Sequence, residues 1–117
     1  MRIHHIYVDE AGETHFKDLD VNYESVYAGI DNWSKPIPVK NLIFRSTSAS
    51  QDVDFHNAPL RQYMINLDAG VQITTSDGET RYVGVGEILF LEDTTGKGHK
   101  SKNIEGKLRH SVFITVE

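Results

Sequence analysis

Apolar and polar residues alternate through the second half of the chain. Over residues 108–116 they alternate with a period of two, which is typical of a strand with one buried face. Residues 41–48 show the same alternation, and Ile88–Leu91 is apolar on both faces. No segment keeps a helical period over three turns. The pattern therefore predicts an all-β protein.

A hairpin is the clearest local element. Residues 71–75 and 81–85 are predicted strands, and Ser-Asp-Gly-Glu at 76–79 forms the turn, because Asp-Gly accepts the positive φ angles of tight hairpins. Residues 3–8 predict a further strand. Residues 13–40 have no sustained period and are interrupted by glycine and proline, so we expect arms and loops there.

The 117 residues are enough for one domain with its own core. We expect residues 1–40 to supply a strand and an arm, and residues 41–117 to form a barrel. The apolar strand positions that we predict to be buried are Ile65, Leu67, Val71, Ile73, Val83, Val85, Ile88, Leu89, Phe90, Leu91, Val112 and Ile114.

Composition excludes several classes of function. The absence of cysteine excludes disulfides, thiol nucleophiles and thiolate metal sites. Twelve Lys and Arg against seventeen Asp and Glu give a net charge of -5, which disfavours nucleic acid as a partner. The longest apolar run, Ile88–Leu91, is far below the roughly 20 residues that span a bilayer. The N-terminus also lacks a signal peptide's apolar stretch, so we predict a cytoplasmic protein that binds no membrane.

Two segments that flank the hairpin carry the candidate chemistry. DFHNAPLRQY begins at Asp54, and GEILFLEDTTGKGH ends at His99. If the strands that carry His56 and His99 are neighbours in a closed sheet, both side chains can point into one cavity. The sequence therefore predicts a pocket lined by histidine.

The two segments resemble the two motifs of the cupin family, small jelly-roll barrels that often hold a divalent metal. Motif one reads Gly, five residues, His-x-His, three or four residues, Glu, six residues, Gly. Near residues 54–70, His56 takes the place of the first histidine and Ala58 that of the second. Gln62 stands at the glutamate and Ala69 at the closing glycine.

Motif two reads Gly, five residues, Pro-x-Gly, two residues, His, three residues, Asn. Near residues 86–103, Gly86, His99 and Asn103 match it. Glu92 stands in place of the proline, and the loop before His99 is two residues longer. The resemblance implies a double-stranded β-helix, the cupin jelly-roll barrel.

The resemblance also implies a metal set of His56, Gln62 and His99. This set is poorer than three imidazoles and a carboxylate, because Ala58 offers no donor and Gln62 only a neutral amide oxygen. We expect at most one weakly held divalent ion: Zn, Ni, Mn or Fe. In the alternative, both histidines bind a small ligand or water through hydrogen bonds, without a native metal.

The loop that begins at Glu92 is the second chemical feature. Lys97 or Arg61 could meet an anionic substrate, and Glu92 or Asp93 could act as a general base if burial raises its pKa. With the two histidines, Glu92 completes the predicted catalytic set. In the alternative, Asp93 holds a turn and Lys97 lies in solvent.

His110 interrupts the apolar face of the last strand. It either points inward beside the pocket or is a core residue with its hydrogen bonds satisfied. The predicted ligand-binding residues are Arg61, Gln62, Lys97 and His110.

Three functional hypotheses follow. The first is a small cupin that binds a small polar or anionic organic molecule, with a metal-dependent lyase or isomerase as its catalytic form. The second is a non-catalytic ligand sensor or binding module. The third is a dimer scaffold. They leave open whether the protein is an enzyme. We expect a homodimer, with residues 2–8 paired at a sheet edge.

Overall fold

A computed structural model describes residues 1–27 and 29–117 of the chain. Over these residues the protein contains twelve strands and no helix, which confirms the all-β prediction. The strands are β1 (Arg2–Val8), β2 (Thr14–Asp20), β3 (Ser25–Tyr27), β4 (Ile30–Trp33), β5 (Asn41–Thr47), β6 (Asp52–His56), β7 (Gln62–Asn66), β8 (Val71–Thr75), β9 (Thr80–Val83), β10 (Ile88–Leu91), β11 (His99–Lys102) and β12 (Arg109–Thr115).

Two open sheets make up the body of the molecule. The larger has the strand order β2-β1-β10-β7-β12-β5, and the smaller has the order β6-β11-β8-β9. Strands β3 and β4 pair with each other. Neither large sheet closes on itself in the part of the chain that is described, so the predicted closed barrel is not found.

The core lies between the two large sheets. It joins residues of the larger sheet, such as Ile6, Leu89 and Phe113, to Val71 and Ile73 of the smaller one. Burial alternates along β7 and β8, so every second side chain of each strand faces this core. The alternation seen in the sequence thus marks the inner faces of both sheets.

The predicted hairpin is present. Strands β8 and β9 pair antiparallel, the amide of Thr75 donates to the carbonyl of Glu79 at 3.0 Å, and Gly78 has φ of 96°. An L-residue with a side chain rarely adopts this φ, which is why the turn contains glycine.

The prediction of which face of β12 is buried was wrong. His110 is exposed, and Val112 and Ile114 are only half-buried. Pairing with β7 sets Phe113 opposite Met64 and Ser111 opposite Asn66, which turns the odd-numbered residues inward. The buried side chains of β12 are Arg109, Ser111, Phe113 and Thr115.

Two of the predicted core residues are exposed. Leu67 is 52% exposed and Val85 54%, because each follows the end of its strand. Four others are half-buried on the outer face of the larger sheet: Ile65, Ile88, Val112 and Ile114. The remaining six are buried: Val71, Ile73, Val83, Leu89, Phe90 and Leu91.

The N-terminal strand does not lie at a sheet edge, contrary to the prediction. Strand β1 pairs in parallel with β10 and antiparallel with β2, so both of its sides are occupied within the chain. It therefore offers no free edge for a second copy. The outer strands of the larger sheet are β2 and β5.

Candidate functional site

A cavity of about 420 Å³ lies between the two sheets. This volume is within the range of small-molecule sites in proteins. Its lining includes three of the predicted site residues, His56, Gln62 and His99. Apolar side chains of both sheets, among them Met64 and Phe113, line it as well.

Strand pairing brings the two histidines together. His56 of β6 is the direct partner of His99 of β11, so their side chains leave the same face of the sheet. Their ring centroids are 4.5 Å apart and the rings are inclined at 55°. Both rings can thus contact one small ligand.

The hydrogen-bond partners of the two rings show which nitrogen of each ring is left free. Nδ1 of His56 lies 2.9 Å from the carbonyl oxygen of Asp54, which can only accept, so Nδ1 carries the proton. Nδ1 of His99 lies 2.5 Å from Oδ2 of Asp93 and donates to that carboxylate. In the neutral form of each ring, Nε2 therefore holds a free lone pair, which can accept a hydrogen bond or bind a metal.

Asp93 also belongs to the site. The sequence predicts it as a general base or as a turn residue, but the predicted catalytic set contains only its neighbour Glu92. It is fully buried, and its Oδ1 has no hydrogen-bond partner among the described residues. The backbone amide of Ala58 donates to the carbonyl of Asp93 at 3.2 Å, which ties this loop to the start of the cavity wall. Asp93 does not line the cavity, but it orients the ring of His99, which does.

Glu92 does not line the cavity, so the structure does not bring this predicted catalytic residue together with His56 and His99. It points to the opposite side from Asp93, because neighbouring residues alternate in an extended segment. Its carboxylate contacts Nε2 of His5 at 2.5 Å and Arg61 at 2.8 Å. Burial opposes its ionisation, but these hydrogen bonds outweigh burial and lower the pKa of Glu92. A carboxylate held ionised in this way is a poor general base.

The other predicted ligand-binding residues are also engaged elsewhere. Arg61 pairs with Glu92, as described above, and does not line the cavity. Nζ of Lys97 lies 2.7 Å from Glu13. Nδ1 of exposed His110 lies 2.5 Å from Asp68. The structure thus places Arg61, Lys97 and His110 outside the cavity, and Gln62 is the predicted ligand-binding residue that lines it.

Arg109 lies in the candidate site but was not among the residues predicted from the sequence. It lines the cavity and is 2% exposed. Its guanidinium donates to the side-chain oxygens of Asn103 at 2.9 Å, Asn66 at 3.0 Å and Ser111 at 3.2 Å. The described hydrogen-bond partners are thus all neutral. In the sequence, Arg109 is a single arginine among the polar positions of an alternating strand, and such positions are predicted to face solvent.

The electrostatic character of the cavity is cationic. Burial, and then the charge of nearby Arg45, lower the pKa of Arg109 to about 10, so it remains charged at neutral pH. Arg45 also lines the cavity, with its guanidinium carbon 6.0 Å from the centre of the Phe113 ring. Two arginines and two imidazoles therefore surround a space of small-molecule size.

The donor set suits only weak metal binding. His56 and His99 each offer Nε2, and each Nδ1 is held by an oxygen in the way typical of metal-ligating histidines. Gln62, which is buried and lines the same cavity, adds an amide oxygen. Within residues 1–27 and 29–117, however, no group of three or more His, Asp or Glu is placed to hold an ion. The donors fit a divalent cation but supply no charge to it.

Comparison with known proteins does not assign the chain to a family. No protein-family model matches the chain. No curated protein matches it either. In the described part of the chain there is no helix that is both long and apolar enough to cross a membrane. The resemblance to cupins thus rests on the motif residues alone.

Proposed function

We propose that the cavity binds a small organic anion and that Arg109 is its main charge partner. The observation that carries this proposal is a buried, charged guanidinium, lining the cavity, whose described hydrogen-bond partners are neutral. Three hydrogen bonds to neutral oxygens offset only part of the cost of removing a cation from water. Asp68 contributes a favourable negative charge without a direct ion pair, whereas a carboxylate on the ligand would pair with the guanidinium and accept from it.

A double-stranded β-helix of the cupin type is the fold that we propose for this function. Two facing sheets, a cavity between them and a pair of histidines on neighbouring strands support it. Asn103 of the second motif accepts from Arg109, which gives that position a part in the site.

A metal-dependent lyase or isomerase is the second candidate, and the two free Nε2 atoms favour it. His56, His99 and Gln62 would hold the ion: Zn, Ni, Mn or Fe. Bound there, a divalent ion would polarise an oxygen of the ligand. The non-catalytic sensor is the rival, in which the same residues bind the anion without turnover. Metal analysis of protein purified without affinity metal, followed by substrate screening against a His99→Ala variant, separates these two candidates.

Binding of benzoate and of its uncharged analogue benzamide tests the anion proposal. Calorimetry should give a Kd for benzoate that rises about 10- to 100-fold in Arg109→Met, because a hydrogen bond to a charged group is lost. Benzamide should bind weakly to both proteins. Arg109→Lys keeps a charge and should fall between them, which guards against a misfolded variant.

Arg61→Met is the matched control, since Arg61 lies outside the cavity. It should bind benzoate as the unaltered protein does. Equal loss in both arginine variants, or equal binding of benzoate and benzamide, would contradict a role for Arg109.

We also propose that the protein forms a homodimer through strand β5 and the outer face beside it. Leu42 is 59% exposed and Phe44 74%, both on an edge strand of the larger sheet. An exposed apolar edge strand favours pairing with another chain.

A further inference from the structure

The cavity contains two fixed cations and no carboxylate. Arg45 and Arg109 both line it, and the residues that line it in the described part of the chain include no Asp or Glu. The whole chain has the opposite balance, since its net charge is -5. The positive charge is therefore a local property of this space, and a ligand that enters can supply the negative charge.

Strand pairing directs both arginines into the same space. Arg45 of β5 is the register partner of Ser111 of β12, whose side chain is buried on the inner face. Paired residues extend their side chains to the same face of a sheet, so Arg45 points inward. Arg109 precedes Ser111 by two residues on the same strand and therefore shares this face. The two arginines are thus diagonal neighbours on the cavity wall.

The contacts of the two guanidiniums place them at the same level of the cavity. Nη1 of Arg109 lies 3.2 Å from Oγ of Ser111 and 3.9 Å from Sδ of Met64. The guanidinium carbon of Arg45 lies 6.0 Å from the centre of the Phe113 ring. Met64 and Phe113 are direct partners across β7 and β12. Both guanidiniums therefore lie beside one residue pair, and a short ligand can contact both.

Each guanidinium keeps groups that can donate to a ligand. In Arg109, Nε and Nη1 donate to neutral side chains, whereas Nη2 has no partner among the described residues. The Arg45 side chain has neither a hydrogen bond nor an ion pair within residues 1–27 and 29–117. Both arginines can thus donate to oxygen atoms of a ligand.

The two positive charges repel each other. After burial, the charge of Arg45 is the second cause of the lowered pKa of Arg109, and the opposing effect of Asp68 is smaller. A ligand with one negative charge leaves the two arginines with a net positive charge. A ligand with two negative charges neutralises both.

We infer that the ligand is a small organic dianion, with negative charge at Arg109 and at Arg45. This inference rests on the proposed anion binding and adds the second charge and the second arginine. A short dicarboxylate and a phosphate monoester share this chemistry, because each carries two negative charges within one small molecule.

Titration with succinate and with its monoamide, succinamate, tests the inference. The two have the same carbon skeleton, but at pH 8 succinate carries two negative charges and succinamate one. The protein is first freed of metal by chelation and dialysis, so that neither ligand binds through an ion. In low salt, calorimetry should give a Kd for succinate about fivefold below that for succinamate. This is the effect of one added ion pair at an exposed side chain such as Arg45.

Variants assign the two charges. Arg45→Met should remove the difference between succinate and succinamate, because the second charge loses its partner. Arg109→Met should weaken binding of both ligands about 10- to 100-fold. Arg61→Met, an arginine outside the cavity, is the matched control and should change neither. The comparison of the two ligands on the unaltered protein does not depend on how the variants fold.

Methyl phosphate, titrated in the same buffer, distinguishes the two kinds of dianion. At pH 8 it carries both negative charges on one group. If it binds more tightly than succinate and Arg45→Met removes this advantage, the site takes a phosphate monoester. Tighter binding of succinate assigns the site to a dicarboxylate.

Failure of the dianion differs from failure of anion binding. If neither succinate nor methyl phosphate binds more tightly than succinamate, while Arg109→Met weakens all three, anion binding stands and the dianion is refuted. The dianion is also refuted if Arg45→Met leaves its advantage intact. If no anion binds in a manner that depends on Arg109, both proposals are refuted.

Discussion

Two aspartate–histidine pairs of the same length differ in their surroundings. Asp93 holds Nδ1 of His99 at 2.5 Å in the interior, and Asp68 holds Nδ1 of His110 at 2.5 Å on the surface. The interior pair lies where water cannot replace a lost partner, since Asp93 is 0% exposed and His99 5%. Loss of the interior contact should therefore lower the free energy of unfolding more than loss of the surface contact.

Replacement of Asp93 by alanine should lower the free energy of unfolding by about 1–3 kcal/mol, because it leaves the buried Nδ1 of His99 without a partner. Urea denaturation followed by circular dichroism measures the change. Asp68→Ala is the matched control and should have a much smaller effect, since solvent can hydrate His110. Equal losses in the two variants would mean that the Asp93–His99 pair is not protected from water.

Residue chemistry was partly readable from the sequence. His56 and His99 were predicted to share a cavity because each lies in a motif at a strand end, and the structure brings them into contact across two paired strands. Arg109 could not be recognised in this way. Its partner Asn66 lies 43 residues away in the sequence, so only the fold reveals that a charge is buried there.

At the scale of the strand, the period of two in β12 was predicted correctly. The prediction of which face is buried was wrong. In β12 both faces carry apolar residues, because Val112 and Ile114 lie on the half-buried outer face and Phe113 on the inner one. Apolar content alone cannot distinguish two such faces. Strand pairing decides, and it places Phe113 opposite Met64.

Leu89 and Leu67 provide a matched test of which positions face the core. Leu89 is 0% exposed within β10, and Leu67 is 52% exposed beyond the end of β7. Leu89→Ala should lower the free energy of unfolding by about 2–5 kcal/mol through lost burial and a new cavity. Leu67→Ala should change it by less than about 0.5 kcal/mol.

Chemical denaturation of the two leucine variants under the same conditions gives the comparison. A loss for Leu67→Ala as large as that for Leu89→Ala would contradict the strand boundaries described for β7. A negligible loss for Leu89→Ala would contradict the packing of the two sheets.

At the scale of the molecule, substitution of an exposed apolar residue of β5 tests whether the protein is a dimer. Phe44 has 74% of its surface exposed, more than any other large apolar side chain in the described residues. We expect sedimentation equilibrium to give a dimer for the unaltered protein and a monomer for Phe44→Glu. The reason is that a charge introduced at an apolar interface remains unpaired when the interface forms.

Ile104→Glu is the control for this experiment, since Ile104 is also exposed, at 49%, but lies in the loop between β11 and β12. This variant should remain a dimer, and both variants should keep the far-ultraviolet spectrum of a β-protein. A monomer for the unaltered protein at 100 µM, or a dimer for Phe44→Glu, would rule out the β5 interface.

The interior position of β1 has a consequence for how the chain acquires its structure during synthesis. Ile3 pairs with Ile88, so one side of β1 must wait for its partner until synthesis has reached β10. Meanwhile β1 can pair with β2, which follows it directly. Contacts so distant in sequence slow folding and leave a strand edge open to other chains in the interval. The N-terminal hairpin is therefore the segment for which crowding by neighbouring nascent chains matters most.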